Sequence, residues 1–299
     1  MATVARTEDL IESPNEVSMA NRLTSRRLFL NHSAVTASAL MGSASFVRQV
    51  SAVGSGRGEW TRLFDGKTLE GWHKNPRRIE HGTGGRWVVE DGMITGEQDP
   101  PGSGNGGILL TDGEFGDFEL LIDIKPDWGV DTGLFLRCND QGQCFQVMVD
   151  YHDNGNIGQL TSITGKGPRD FTTRTFDING KYDNAGNLIG FTTAKEKSAQ
   201  EVGLEYSCTP VDWIQSWKLN DWNTIRVRVE GKYPHIATWI NGLKVCVFDG
   251  RTSSNQLYMK EDIFQTLGRA GSIAVQVYAG VYCPKGSKCR WKNVKIRNL

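Results

Sequence analysis

The chain has 299 residues, a length that suits one large domain or two small ones. Lysine and arginine total 34, and so do aspartate and glutamate, so the formal net charge is zero. That balance argues against a nucleic-acid partner or an anionic-membrane binder, which need clustered positive charge. Hydrophobic residues make up 38% of the chain, enough for a core, and no apolar run is long enough to predict a transmembrane anchor.

The first 52 residues resemble an export signal. Ser25–Leu30 reads S-R-R-L-F-L, which resembles the twin-arginine export signature of bacteria. A weakly apolar stretch follows, and Val50–Ala52 offers a small-x-small cleavage site. We therefore interpret residues 1–52 as a twin-arginine signal peptide and linker. Residues 53–299 are the predicted mature domain, located in the periplasm or outside the cell.

Alternating apolar and polar residues between turn signals predict many short strands in the mature domain. Asp91-Gly92 and Asn241-Gly242 are dipeptides typical of two-residue hairpin turns. The pattern predicts an all-β sandwich or jelly roll with one short helix at Lys260–Leu267. In chain order the predicted strands are Trp87–Glu90, Met93–Gly96, Phe118–Lys125, Gly133–Cys138, Phe145–Asp150, Thr224–Glu230, Ile236–Ile240, Leu243–Phe248, Ser272–Tyr278 and Arg290–Arg297.

The stretch from about residue 153 to 221 differs from the rest of the domain. It is rich in glycine, asparagine, threonine and lysine and has few strand patterns. We interpret it as a long loop-rich insert in the sandwich, because loops of this length are usually functional or disordered.

The predicted mature domain contains six cysteines. Cys138 and Cys144 flank one turn, and Cys283 and Cys289 flank another, each pair separated by five residues. In an exported protein each pair could close a hairpin as a disulfide bond. Cys208 and Cys246 are left to pair or to remain thiols.

Period-2 alternation gives three predicted strands one apolar face and one mixed polar face. The apolar faces should pack against the other sheet, so the polar faces should form an exposed, concave surface suited to a sugar. The side chains on that predicted surface are Asp131, Phe135, Arg137, Gln146, Met148, Asp150, Gln276 and Tyr278.

Other candidates lie outside these strands. Glu90 precedes a turn and could point into the site, and Trp239 could stack on a sugar ring. Asp150, His152 and Asp153 could instead ligate a metal, because two carboxylates and an imidazole lie within four residues.

Several stretches of the mature domain, taken in order, form a recognisable pattern. They are Leu63–Trp72, Trp87–Gly92, Leu109–Asp112, Phe115–Leu120, Thr132–Arg137, Trp222–Asn223, Ile240–Gly242 and Trp291–Arg297. This pattern resembles the 3-keto-disaccharide hydrolase domain family, also described as 3-keto-glucoside lyase and 3-keto-2-hydroxy-glucal hydratase; Thr132–Arg137, for example, reads T-G-L-F-L-R where the family has S-G-I-F-L-R. The resemblance covers roughly residues 60–299 and implies a concanavalin A-like, LamG-like jelly roll.

The sequence departs from the family pattern on two strands. Where the family commonly has Y-E-V-Q-I-x-D, this chain places Gln146 and Met148 in the positions of the Glu and the Gln. Where the family often has L-Q-x-H, this chain has Tyr278 in place of the His. Two groups able to move protons are thus replaced.

The resemblance implies an enzyme that cleaves the glycosidic bond of 3-keto-glycosides. A ketone at C3 acidifies the C2 proton, a base removes it, and the aglycone leaves from C1. We assign Asp150 or His152 as the base, Arg137 as the oxyanion partner and Tyr278 as the proton donor. A divalent metal such as calcium or manganese could replace the arginine. The expected substrate-binding residues are Asp131, Phe135, Gln146, Gln276, Glu90 and Trp239.

Two other functions remain open at this point. The replaced Glu and His favour a non-catalytic carbohydrate-binding module of the same fold, in which amides and aromatics bind sugar. Alternatively, the domain could bind a protein at the cell surface, with the insert as the contact element.

Overall fold

The computed structural model describes residues 58–75, 81–164 and 170–299. The predicted signal peptide and its cleavage site lie outside the described residues. No helix among the described residues is long and apolar enough to cross a membrane.

Strands account for most of the regular structure in the described part of the chain. Two short helices accompany them, α1 (Pro210–Ser216) and α2 (Lys260–Leu267). The strands are β1 (Thr61–Arg62), β2 (Trp72–Lys74), β3 (Arg86–Glu90), β4 (Met93–Glu97), β5 (Gly107–Phe115), β6 (Phe118–Ile124), β7 (Gly133–Cys138), β8 (Cys144–Val149), β9 (Ile157–Ile163), β10 (Asp177–Tyr182), β11 (Leu188–Ala194), β12 (Tyr206–Ser207), β13 (Asn223–Glu230), β14 (His235–Ile240), β15 (Leu243–Asp249), β16 (Gly271–Val277) and β17 (Cys289–Asn298).

Most of these strands form two antiparallel sheets. The nine-stranded sheet has the order β12-β15-β14-β13-β6-β17-β4-β3, with β1 also paired to β17. The six-stranded sheet has the order β2-β5-β16-β7-β8-β9, and β10 and β11 form a separate two-stranded sheet. Neighbours that are distant in sequence, such as β6 and β17, are typical of a jelly-roll sandwich. The predicted all-β fold is confirmed.

The two predicted hairpin turns are present. Asp91 and Gly92 between β3 and β4 have φ values of 49° and 77°. Asn241 and Gly242 between β14 and β15 have φ values of 50° and 91°. Two consecutive positive φ angles match the right-handed twist of the strands they join.

The core lies between the two large sheets. Leu134 and Val147 from the six-stranded sheet and Ile122 and Val227 from the nine-stranded sheet belong to one buried cluster. The outer face of the six-stranded sheet carries a second, smaller cluster that includes Phe135. The six-stranded sheet therefore buries apolar side chains on both faces. Its outer face does not pack against the nine-stranded sheet, so it can hold a functional site.

The segment from 153 to 221 is more regular than its composition predicts. It supplies β9, the edge strand of the six-stranded sheet, together with the β10–β11 hairpin and α1. Thr209 begins α1 by accepting a hydrogen bond from the backbone N–H of Asp212 onto its side chain. The insert is docked onto the sandwich as ordered structure.

Neither predicted disulfide bond is formed in the structure, where all six cysteines are buried and free. Burial and the adjacent Cys138 thiol raise the pKa of Cys144 well above its usual value. Burial and the neighbouring Cys283 do the same to the pKa of Cys289. The two cysteines of each pair are neighbours, as the spacing predicted, but no bond joins them.

Candidate functional site

A cavity of about 390 Å³ lies on the outer face of the six-stranded sheet. Its volume falls within the range of small-molecule sites. Residues from β8, β9 and the end of β16 form its floor, and the insert and an N-terminal loop form its walls. It is lined by His81, Asp131, Gln146, Met148, Asp150, Thr161, Ile163, Asp170, Thr172, Arg174, Gln276 and Tyr278.

Asp150 is the most perturbed acid in this cavity. It follows the last residue of β8 and is only 9% exposed. Burial, and then the negative charge of Asp131, raise the pKa of Asp150 to about 8, against the opposing charge of Arg174. Its carboxyl group accepts no hydrogen bond from the described residues, so no hydrogen bond offsets the effect of burial on its pKa. A carboxyl group with this pKa can both take and return a proton near neutral pH.

Asp131 and His152 form an ion pair beside Asp150. Asp131 Oδ2 lies 3.8 Å from His152 Nε2, too far for a hydrogen bond. Burial disfavours the imidazolium, but the contact with Asp131 and the hydrogen bond from Nδ1 to the Asp153 carbonyl outweigh it, so the pKa of His152 is raised. His152 therefore acts as a positive neighbour of both carboxylates.

Two carboxamides and a histidine line the cavity beside this pair. Gln276 Nε2 lies 3.0 Å from His81 Nδ1, and the His81 ring packs edge-on against Phe135 at 5.1 Å. Gln276 Oε1 is buried without a hydrogen-bond partner among the described residues. Gln146 is 6% exposed and donates to the Thr132 carbonyl at 3.4 Å. These amides suit hydroxyl recognition, because a buried amide left unpaired gains most from a ligand.

Arg174 is the positive side chain on the cavity wall. Its neighbours Thr173 and Thr175 are buried and bonded to β9, Thr175 through a hydrogen bond from its N–H to Gln159 at 2.8 Å. Alternation along the extended chain then directs Arg174 toward the cavity. Asp177 pairs with its Nη2 at 2.8 Å. Its buried Nε has no hydrogen-bond partner in the described structure, which leaves one donor for a ligand.

Arg137 is not in the cavity, contrary to the sequence prediction. Its side chain is fully buried, and it donates to the carbonyls of Gly116 and Gly231 at 3.0 Å. It also pairs with Asp117 at 3.2 Å. Burial lowers the pKa of Arg137 to about 10, against the favourable charge of Asp117, and the group stays protonated. Arg137 thus ties β7 to the β5–β6 turn and the β13–β14 turn.

A β-bulge in β7 explains this error. Cys138 on β7 pairs with Ser272 on β16, and Phe135 on β7 pairs with Ala274 on β16. Between these two pairs β7 advances by three residues and β16 by two, so β7 contains one extra residue. The extra residue is accommodated at Arg137, whose φ is 51°. A bulge reverses the alternation of side chains beyond it, so Arg137 does not share the face of Phe135.

Glu90 and Trp239 also lie away from the cavity, because both belong to the nine-stranded sheet. Glu90 ends β3 and pairs with Arg86 at 3.6 Å. Trp239 on β14 packs under the guanidinium of Arg226, with 4.6 Å between the guanidinium carbon and the ring centroid. Both predictions for substrate contact are wrong for the same reason, since the sequence did not show which sheet each strand joins.

The described residues contain no cluster of three or more histidine, cysteine, aspartate or glutamate side chains placed to hold a metal ion. Asp153, one member of the predicted metal trio, accepts a hydrogen bond from the Gly180 N–H instead.

The sequence predicted the floor of the cavity better than its walls. Asp131, Gln146, Asp150, Gln276 and Tyr278 all line it. The further residues that line it without having been assigned a role are His81, Met148, Thr161, Ile163, Asp170, Thr172 and Arg174. The alternation already placed Met148 on the correct face, and alternation along β9 could have indicated Thr161 and Ile163. No pattern marked Arg174.

Comparison with known families identifies the chain. Residues 59–297 match the model of the 3-keto-alpha-glucoside-1,2-lyase-like domain. The chain belongs to this family. Membership makes the protein carbohydrate-active, and the cavity on its six-stranded sheet is the candidate site. No curated protein matches its sequence significantly.

Several solved bacterial structures are similar to this chain. A protein of Parabacteroides distasonis ATCC 8503, provisionally described as a glycosyl hydrolase, is 22% identical, with a TM-score of 0.44 over 81% of this chain and 100% of that chain. A carbohydrate-binding module from Bacillus subtilis is 12% identical, with a TM-score of 0.37 over 76% and 96% of the two chains. A β-glucanase from Bacillus licheniformis is 11% identical, with a TM-score of 0.39 over 82% and 99%.

Proposed function

We propose that this protein is an exported enzyme that cleaves 3-keto-glycosides by elimination followed by hydration. The observation that carries the proposal is Asp150, a buried carboxyl group with a pKa raised to about 8 at the floor of the cavity. Removal of a proton next to a ketone needs a base stronger than an ordinary carboxylate, and desolvation supplies such a base.

The first step transfers one proton and breaks one bond. The Asp150 carboxylate takes the proton from C2, and the electron pair of the C–H bond moves to form an enolate on the C3 oxygen. The enolate then expels the aglycone from C1, leaving a C1–C2 double bond and restoring the C3 ketone. Asp150 passes its proton to the departing aglycone oxygen, so the elimination is balanced without another acid.

The enolate oxygen needs donors that are already in place. Arg174 Nε is buried and has no hydrogen-bond partner among the described residues, so it can donate to that oxygen. Tyr278 also lines the cavity, and burial raises the pKa of its phenol, which therefore stays protonated and able to donate. Arg174 therefore has the role of oxyanion partner, which was predicted for Arg137.

The second step returns the sugar to its saturated form. Water adds its oxygen to C1, Asp150 takes the water proton, and the same carboxyl group delivers a proton to C2. The products are the aglycone and the free 3-keto sugar. The unpaired Gln276 Oε1 can accept from a sugar hydroxyl and hold the ring over Asp150 during both steps.

Aglycone release from a 3-keto-glucoside tests the proposal. The mature protein is incubated with methyl 3-keto-glucoside and with methyl glucoside, with and without a chelator. We expect release from the keto sugar only, and Asp150→Asn should lower kcat about 100-fold or more. Asp112→Asn is the matched control, because that carboxyl is 41% exposed and pairs with His73, which is not among the cavity residues.

Three outcomes would contradict parts of the proposal. Equal release from both sugars would show that the ketone is not used. Full activity in Asp150→Asn would remove Asp150 from the reaction. No release, together with calorimetric binding of sugar, would favour the carbohydrate-binding module, which the buried amides of Gln146 and Gln276 also suit. Loss of activity on chelation would support a divalent metal as the electrophile.

Export is a separate part of the proposal and rests on the twin-arginine pattern at Arg26 and Arg27. Replacing both arginines by lysine should retain the full-length protein in the cytoplasm, as measured by cell fractionation. Unchanged export of the double variant would contradict this part.

A further inference from the structure

An apolar loop, residues 279–284, lies beside the cavity, directly after the cavity residue Tyr278. Its sequence is Ala-Gly-Val-Tyr-Cys-Pro. Val281 is 88% exposed and Tyr282 is 52% exposed, although Cys283 beside them is buried. Two adjacent large apolar side chains exposed at the edge of a polar cavity call for a binding partner.

Hydrogen bonds hold this apolar loop in place. Gln98 Nε2 donates to the carbonyls of Tyr278 at 2.9 Å and Gly280 at 2.8 Å. The backbone N–H of Asp131, a cavity residue, donates to the Tyr282 carbonyl at 2.9 Å. The exposure of Val281 and Tyr282 is therefore a feature of an anchored loop.

One face of the Tyr282 ring is already in contact with another side chain. The ring stacks on His152 with 5.1 Å between centroids and 18° between planes. Tyr278 packs edge-on at 6.2 Å. Tyr282 is still half exposed, so part of its ring remains open to a ligand beside the cavity. His152 is ion-paired with Asp131, so the open ring lies next to the acidic groups of the candidate site.

We infer that Tyr282 and Val281 form the subsite for a planar aromatic aglycone, an inference that rests on the proposed function. Once C1 of the sugar lies near Asp150, the aglycone extends toward a rim of the cavity. Apart from the Tyr282 hydroxyl, the exposed side chains of the apolar loop offer no groups that hydrogen-bond, whereas a second sugar ring needs several. A flat apolar ring can stack on Tyr282 and contact Val281 without them.

Paired substrates measure this preference. Phenyl and methyl 3-keto-glucosides of the same anomeric configuration are compared by kcat/KM in the wild type, Tyr282→Ala, Tyr282→Phe and Val281→Ala. Because Tyr282 also supports His152, the readout is the ratio of phenyl to methyl kcat/KM within each protein. We expect Tyr282→Ala to lower this ratio about threefold to tenfold, Val281→Ala to lower it less, and Tyr282→Phe to preserve it.

Tyr206→Ala is the matched control, because Tyr206 is 40% exposed but lies on β12 at the edge of the other sheet. Its ratio should equal that of the wild type. An unchanged ratio in Tyr282→Ala would overturn the inference. So would an equal loss for a 3-keto-disaccharide, since that result would indicate a sugar subsite.

Calorimetry with unoxidised phenyl and methyl glucosides separates this inference from the proposed function, because binding needs no turnover. If no keto sugar is cleaved but phenyl glucoside binds more tightly than methyl glucoside and loses that advantage in Tyr282→Ala, the subsite stands and the proposed reaction fails. If keto sugars are cleaved and neither ratio responds to Tyr282→Ala, the reaction stands and the subsite fails.

Discussion

Replacing Asp150 by asparagine should make the protein more stable at alkaline pH while removing its activity. The folded-state pKa of Asp150 is raised from 3.8 to about 8. Between these values the folded protein keeps the proton and the unfolded chain has lost it. The free energy of unfolding of the wild type therefore falls as pH rises from about 4 to about 8, and asparagine, which carries no charge, removes this dependence.

The size of the effect follows from the same linkage. Each pH unit within the window costs about 1.4 kcal/mol, so the wild type should lose at most about 3 kcal/mol between pH 5.5 and pH 8. For a domain of this size that loss corresponds to a Tm lower by about 6–12 °C. The pKa of His152 is also raised, in part by the charge of Asp150, so the difference between the two proteins reports on Asp150 together with its interaction with His152.

Thermal unfolding followed by circular dichroism at pH 5.5 and pH 8, in buffers of equal ionic strength, gives the comparison. Asp150→Asn should gain Tm relative to the wild type at pH 8 and show a much smaller difference at pH 5.5. Parallel Tm changes in the two proteins would show that Asp150 is ionised throughout the range. The argument for a strong buried base would then fail.

Three further results are expected. The kcat/KM for a 3-keto-glucoside should rise with pH and level off above about pH 8, as the Asp150 base ionises; a profile that falls over pH 6–8 would contradict its role as base. Arg174→Lys should lower kcat/KM about 100-fold, against no change for the exposed control Arg269→Lys, in steady-state assays. Arg137→Lys should lower the free energy of unfolding by about 3 kcal/mol in urea titrations, because buried acceptors lose their donor, with kcat preserved in the folded fraction.

Much of the sandwich could be predicted because its strands alternate cleanly. The strand at Gly133–Cys138 and the helix at Lys260–Leu267 have the predicted bounds. The β10–β11 hairpin was missed because its strands combine polar residues and glycines with few buried apolar side chains, among them Ile178 and Phe191, and they lie outside the two large sheets. So few apolar positions give no clear alternation to read.

The candidate site shows where alternation fails. Alternation placed Gln146 and Asp150 on the correct face because β8 pairs regularly with β7, and the irregularity in its pairing with β9 leaves the extra residue on β9. It misplaced Arg137 because one extra residue reversed the pattern. Arg174 comes from the insert, and only the buried contacts of its neighbours direct it to the cavity. The positive group in the site was thus assigned to the wrong arginine.

The acid–base character of the site depends on the tertiary structure and not on the residue types alone. The sequence places both Asp131 and Asp150 near a strand end, with Asp150 predicted as the base and Asp131 as a substrate-binding residue. In the fold Asp131 lies 3.8 Å from the His152 imidazole, whereas Asp150 is buried without a hydrogen bond from the described residues and next to the charge of Asp131. Burial, and then that charge, raise the pKa of Asp150 to about 8, so this carboxyl group can hold its proton near neutral pH. Since Asp131 contributes to the shift but burial is the larger cause, replacing Asp131 should weaken the base without removing it, whereas replacing Asp150 removes it altogether.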